Sequence, residues 1–90
     1  MSQRVEPDLL LDFPCNYEFK AFGSADNAFA QAVKQAVGQI VPVADDATRS
    51  RASSGGKYQS ISVCVRLHNS DQLKRIYAEL KNVDGLKYLL

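Results

Sequence analysis

The most reactive side chains in this sequence belong to two cysteines, Cys15 and Cys64, and to one histidine, His68. Such groups bind zinc when the ligands come in closely spaced pairs, and a cysteine beside a histidine can act as a nucleophile. Here the cysteines lie far apart, neither belongs to a Cys-x-x-Cys pair, and no motif places an acid to orient the histidine. We therefore predict no metal site, no cofactor and no catalytic residue, with His68 in a surface loop and both cysteines as thiols.

The glycine-rich run Ser54-Gly55-Gly56-Lys57 is a candidate for phosphate binding. A phosphate loop of the Walker type, however, has a longer glycine loop that leads into a helix and ends in lysine followed by serine or threonine. Here the run leads into residues 58–67, where apolar side chains alternate with others as in a strand. Because paired glycines supply the positive φ that tight turns need, we predict a β-hairpin.

Length and composition indicate one folded domain. A chain of 90 residues has room for a single core, and a hydrophobic content of 46% is ordinary for a globular protein. The net charge of +1 indicates no strong attraction to nucleic acid. The longest apolar run, Leu9-Leu10-Leu11, is too short to span a membrane, and residues 1–8 are too polar for a signal peptide. We therefore expect a cytoplasmic protein without a membrane segment.

Hydrophobic periodicity and turn residues predict six elements. In order, they are a strand over 17–22, a helix over 25–40, an edge strand over 48–53, a strand over 58–67, a helix capped by Asn69 or Ser70, and a strand over 86–90. Ser24 is the predicted N-cap of the first helix, with Asp26 in its first turn, where the helix dipole favours a carboxylate. Residues 1–14, which Pro7 and Pro14 interrupt, are predicted to form an extended arm.

The order β-α-β-β-α-β predicts an α+β fold over residues 15–90. It is the ferredoxin-like βαββαβ sandwich, a four-stranded antiparallel sheet with two helices on one face. The first and third strands should be central. Four apolar residues of the third strand should point toward the helices, namely Ile61, Val63, Val65 and Leu67. The other face of the sheet then has no cover within the domain.

This uncovered face is the predicted interaction surface. Its proposed members come from the hairpin turn and the third strand, and they are Lys57, Tyr58, Ser60, Ser62 and Arg66. Glu18, Lys20 and Cys64 should share the face, and Lys87 is a further candidate. Arg49 and Arg51 join them if the register of the edge strand allows. RNA-recognition domains stack bases on this face, but Tyr58 is the one clear aromatic candidate, so nucleic-acid binding is disfavoured. A solvated polar face and self-association are open alternatives.

Three segments resemble the small bacterial YbeD-like proteins. They are Leu11-Asp12-Phe13-Pro14-Cys15-x-Tyr17-x-Phe19-Lys20 followed by Gly23, the run from Ser53 to Val63, and Ile76-Tyr77-Ala78-Glu79-Leu80 followed by the run from Val83 to Leu90. The chain is similar to this family over residues 9–90. Two features depart from it, because relatives often have a lysine before a single glycine in the turn at 55–57, and they vary at Cys15.

The resemblance implies a fold close to that of ACT domains, which are amino-acid-sensing modules attached to metabolic enzymes. It implies no known activity and no catalytic residue. In ACT-like domains, small ligands usually bind near the loop after the first strand, which here contains Gly23, Ser24, Asp26 and Asn27. The backbone amides at such a helix start can hold an anion.

We therefore expect a non-catalytic regulatory or adaptor module in bacterial metabolism that acts through a small ligand or a partner protein. Since ACT-like domains often dimerise, a homo-oligomer is an open alternative for the partner. The alternative function is an RNA- or nucleotide-binding module that uses the open sheet face.

Overall fold

The structure, a computed structural model, describes residues 12–90. Its elements follow the predicted order. They are β1 (Cys15–Ser24), α1 (Asn27–Gly38), β2 (Thr48–Ala52), β3 (Tyr58–Leu67), α2 (Ser70–Leu80) and β4 (Leu86–Leu89). The predicted arm over residues 1–14 lies outside the described residues except for its last part, in which Phe13 packs against the core.

The four strands form one antiparallel sheet in the order β2-β3-β1-β4. β1 and β3 are central, as predicted. They pair along their whole length, from Cys15 opposite Leu67 to Ser24 opposite Tyr58. β2 pairs with the outer side of β3, and β4 pairs with the C-terminal part of β1. This register determines which side chains of different strands lie side by side.

Both helices pack against one face of the sheet, and the core lies between the helices and that face. The alternation predicted for β3 is confirmed, because Ile61, Val63 and Leu67 have no exposed surface and Val65 is only 6% exposed. The other large core side chains come from β1 and the helices, and they are Phe19, Phe29, Val33, Val37, Leu73, Ile76 and Leu80. Each such buried side chain contributes about 1.5–3 kcal/mol. The fold is therefore the predicted α+β, ferredoxin-like sandwich.

The start of α1 differs from the prediction. Asp26, not Ser24, is the N-cap, and its Oδ1 accepts a hydrogen bond of 2.7 Å from the Phe29 amide. Ser24 cannot take this role because it is the last residue of β1, where it pairs with Tyr58 and donates its amide to the Gly85 carbonyl at 3.1 Å. The strand thus extends two residues further than the glycine at its end suggests.

The helix α2 begins as predicted. Asn69 is its N-cap, and its side-chain oxygen accepts a hydrogen bond of 2.9 Å from the Gln72 amide. In the part of the chain from 12 to 90, no helix combines the length and the hydropathy needed to cross a membrane.

The turn between β2 and β3 is the predicted hairpin. Ser53 donates its amide to the Tyr58 carbonyl at 2.9 Å, and Gly56 donates to the Ser53 carbonyl at 3.0 Å. Of the two glycines in the turn, Gly56 alone supplies the expected positive φ, with φ at 73°. Gly55 therefore has a conformation that other residues can adopt.

A bulge in β4 changes which side chains reach the uncovered side of the sheet. Leu86 pairs with Gly23 and Tyr88 pairs with Phe22, so Lys87 is an extra residue in β4. Such an insertion turns two successive side chains toward the same side. The consequence is that both Lys87 and Tyr88 lie on the side away from the helices.

Candidate functional site

The strands carry charge of almost one sign on the side of the sheet that faces away from the helices, which we call the open face. Their charged residues are Lys20, Arg49, Arg51, Arg66, Lys87 and the single acid Glu18. Within residues 12–90, the other seven aspartate and glutamate side chains lie in loops, turns and helices. The small net charge therefore conceals a basic face.

A shallow groove runs along β3 at the centre of the open face, and we call it the β3 groove. It is lined by Lys20 and Phe22 of β1, Arg49 and Arg51 of β2, and Ser60 and Ser62 of β3. Two overlapping depressions of about 420 and 300 Å³ form it, and they share Lys20, Arg51 and Ser60. The short serines are its floor, because long side chains stand on the strands at either side. With cations in both walls and hydroxyl groups below, this groove is suited to an anion.

Aromatic rings lie next to the groove. Phe22 and Tyr88 are stacked, with ring centroids 4.4 Å apart and planes inclined by 16°. Tyr58 is 45% exposed, and the Lys87 ammonium lies 5.6 Å from the centroid of its ring. The stacked contact and the cation–π contact each favour the observed positions of these rings.

One carboxylate interrupts the basic face. Glu18 lies directly opposite Cys64 in the register, and the Cys64 thiol donates a weak hydrogen bond of 3.7 Å to Glu18 Oε2. Glu18 also lines the larger of the two depressions that form the β3 groove. Glu18 therefore repels an anion from the positions that it shares with Cys64, which leaves the part of the groove above Ser62 and Ser60 for an anion.

Four of the five predicted interaction residues lie on the open face, and they are Tyr58, Ser60, Ser62 and Arg66. The fifth, Lys57, is exposed in the hairpin turn. The register brings Arg49 and Arg51 to the same face, opposite Ser62 and Ser60.

The aromatic pair of Phe22 and Tyr88 on the open face is not among the residues predicted from the sequence. Phe22 continues the alternation of Glu18 and Lys20, and this signal was sufficient to place its ring. The pairing of Tyr88 with Phe22 depends on the bulge in β4, which leaves no comparable signal in the sequence.

The loop after β1, predicted to hold a small ligand, packs closely against the rest of the domain. Gly23 is buried, and a Cβ atom there would lie 2.5 Å from Phe29 Cζ and in collision with the Gly85 carbonyl oxygen. The close approach that this glycine permits is therefore made by the chain's own atoms.

The polar groups of that loop also have partners within the domain. The Gln59 side-chain amide donates hydrogen bonds of 2.8 Å to the carbonyls of Ser24 and Asp26, while the Asp26 carboxylate caps the Phe29 amide. Asn27 is the first residue of α1 and is exposed. Ligand binding at this loop stays a prediction.

The reactive residues do not come together. Cys15 and Cys64 lie on opposite faces of the sheet, since Cys15 shares the side of Tyr17 and Phe19. His68 follows β3, is exposed, and donates its backbone amide to Gln72 at 2.8 Å. Among residues 12–90, no cluster of three or more cysteine, histidine, aspartate or glutamate side chains has the geometry to hold a metal ion.

Comparisons with known proteins agree with the YbeD-like resemblance. Residues 8–90 match a family described as "Protein of unknown function (DUF493)". A UPF0250 protein from Shewanella loihica is 42% identical over 81 residues, which cover 90% of this chain and 91% of that protein. A UPF0250 protein from Idiomarina loihiensis is 32% identical over 88 residues, 98% of this chain and 99% of the relative.

The fold has a match among solved structures. The solution structure of protein HP0495 from H. pylori superposes with a TM-score of 0.71, at 13% identity, and the match covers 89% of this chain and 85% of that one. At this identity the likeness concerns the fold, which it supports as ferredoxin-like. On the extent of the sequence match, the chain belongs to the DUF493 family of small bacterial proteins of unknown function.

Proposed function

We propose that the protein is a non-catalytic regulatory or adaptor module whose open face docks on an acidic surface of a partner protein. The observation that carries the proposal is the segregation of charge, with five basic residues and one acidic residue in the four strands. Basic residues placed side by side repel one another in the free protein, and an acidic partner relieves this repulsion.

The composition of the face supports a protein as the partner. Arginine and tyrosine are, together with tryptophan, the residue types that most often dominate the energy of protein interfaces. Arg49, Arg51 and Arg66 share the face with Tyr58 and Tyr88, of which Tyr88 is 56% exposed. The guanidinium groups of these three arginines can each bind a carboxylate through two hydrogen bonds.

A capture experiment with matched charge reversals tests this proposal. The bait carries an N-terminal tag, because the backbone of Leu90 takes part in the sheet. The Leu90 amide and carbonyl form hydrogen bonds with the backbone carbonyl and amide of Lys20. One variant combines Arg49→Glu with Arg51→Glu on the open face. The control combines Lys74→Glu with Lys81→Glu, which makes the same change of charge at exposed positions on and after α2.

We expect an acidic protein to be captured from a bacterial lysate by the wild type and by the control, and to be lost with the open-face variant. Its retention should fall as the salt concentration rises. The same set of proteins on all three baits would contradict docking through the open face. Thermal melting of each bait verifies that the variants are folded.

A further inference from the structure

We infer that the β3 groove is a binding site for a free nucleoside monophosphate. The site lies within the open face, so an occupied groove would neutralise cations that an acidic partner needs. This regulatory consequence rests on the proposed function, whereas nucleotide binding itself does not.

Residues of β1, β3 and β2 that lie directly opposite one another form rows across the groove. The phosphate fits the row that contains Ser62, which is next to the row of Glu18 and Cys64. Lys20 of β1 lies opposite Ser62, and Ser62 lies opposite Arg49 of β2. Side chains at directly opposite positions of an antiparallel sheet have Cβ atoms about 5 Å apart. A phosphate above Ser62 is therefore within reach of an ammonium on one side, a guanidinium on the other and a hydroxyl below.

The base fits the next row. Phe22 of β1 lies opposite Ser60, and Ser60 lies opposite Arg51 of β2. Phe22 and Arg51 both line the smaller of the two depressions. The small serine between them leaves a slot whose two walls are an aromatic ring and a planar guanidinium, and both kinds of group stack on bases. Tyr88 supports the Phe22 ring from behind through the stacked contact of 4.4 Å.

The pattern of charge along the groove indicates a single nucleotide rather than an RNA chain. The basic rows continue to Ser62, but the next row is formed by Glu18 and Cys64. A second phosphate at that end would face the Glu18 carboxylate, and Arg66 lies beyond it. A chain of phosphates needs an uninterrupted basic path, which the groove lacks.

Titration of the isolated, ¹⁵N-labelled protein tests the inference. The probes are the four nucleoside monophosphates, the corresponding nucleosides, inorganic phosphate and an octanucleotide of single-stranded RNA. We expect saturable shifts of the backbone amides of residues 49–51 and 58–62 with at least one monophosphate. Its nucleoside and inorganic phosphate should each bind roughly fivefold or more weakly, because each lacks one half of the contacts.

Variants separate the two halves of the site. Arg51→Lys keeps the charge but removes the planar stacking surface, so it should weaken nucleotide binding roughly fivefold while leaving phosphate binding nearly unchanged. Glu18→Gln removes the repelling carboxylate and should strengthen nucleotide binding severalfold. Lys74→Ala on α2 is the control and should change neither affinity.

Three results would overturn the inference. The first is the absence of saturable shifts, and the second is an equal affinity for phosphate and for the monophosphate. The third is an octanucleotide that binds more than about tenfold tighter than the monophosphate, a result that would assign the open face to RNA. Because these titrations use no partner, their failure leaves the docking proposal intact. A saturating nucleotide that leaves partner capture unchanged would overturn the regulatory consequence alone.

Discussion

The rings of Phe22 and Tyr88 are stacked across the pair of strands β1 and β4, with their centroids 4.4 Å apart. This contact lies on the open face, on the side opposite the core. β4 has only four residues, and it pairs with β1 across a bulge. The aromatic pair is therefore a second attachment of the C-terminal strand, made from the solvent side.

Replacement of Tyr88 by alanine should lower the free energy of unfolding by about 1 kcal/mol, since the aromatic pair is lost. Urea denaturation followed by circular dichroism measures the change. Tyr88→Phe is the control, because it retains the ring, and it should lie within about 0.5 kcal/mol of the wild type. Equal effects of the two variants would show that the stacked contact contributes nothing.

Replacement of Gly23 by alanine should cost about 1–3 kcal/mol or more, because the added methyl group enters a packed core. Its Cβ would lie 2.5 Å from Phe29 Cζ and would collide with the Gly85 carbonyl oxygen. Gly55→Ala is the matched control, since a Cβ at that position has no neighbour within 4 Å. A thermal melt of Gly23→Ala that coincides with that of Gly55→Ala would contradict the packing described for this loop.

Replacement of Thr48 by valine should raise the free energy of unfolding by about 1 kcal/mol. The Thr48 hydroxyl oxygen is buried and has no hydrogen-bond partner among the described residues. Valine has nearly the same shape and leaves no polar atom to be desolvated. Thr48→Ser keeps the hydroxyl group and should not raise the free energy of unfolding. Chemical denaturation of the two variants measures both free energies.

Tyr77 should make the stability of the protein fall at alkaline pH. Burial raises the pKa of the Tyr77 phenol above its usual value of 10.0, and the hydrogen bond with Tyr17, at 2.9 Å between hydroxyl oxygens, adds to this. The pKa of Tyr77 is therefore higher in the folded state than in the unfolded state. Its contribution to the free energy of unfolding is complete below about pH 10 and is lost as the pH rises further.

The test compares the wild type with Tyr77→Phe by urea denaturation at pH 8 and at pH 10.5. We expect the stability advantage of the wild type to shrink at the higher pH, while Tyr58→Phe, at an exposed position, serves as the control for general alkaline effects. A difference between wild type and Tyr77→Phe that does not depend on pH would contradict the assignment.

Much of the fold could be predicted because local patterns and tertiary packing agree. β3 is the clearest case, since its apolar residues alternate without a break and all of them point into the core. The N-cap of α1 could not be predicted correctly, because serine and aspartate are both good caps and the choice depends on the bond from Ser24 to Gly85.

The candidate site could be predicted only in part. Alternation placed Tyr58, Ser60, Ser62 and Arg66 on the open face. The β3 groove, however, depends on the register between three strands, and the position of Lys87 near Tyr58 depends on a bulge. Register is a tertiary property, set by pairing across distant parts of the chain, so a single sequence carries little information about it.

The separation of charge also gives the molecule an electric dipole moment that its net charge of +1 does not reveal. Within residues 12–90, five cations lie on the open face, while the seven acidic side chains outside the strands lie elsewhere. In the field of an acidic surface, the protein should rotate so that its strands lead the approach. Reversal of Arg49 and Arg51 should therefore lower the association rate constant, in addition to removing their contacts with carboxylates of the bound partner, and the association rate should depend steeply on ionic strength.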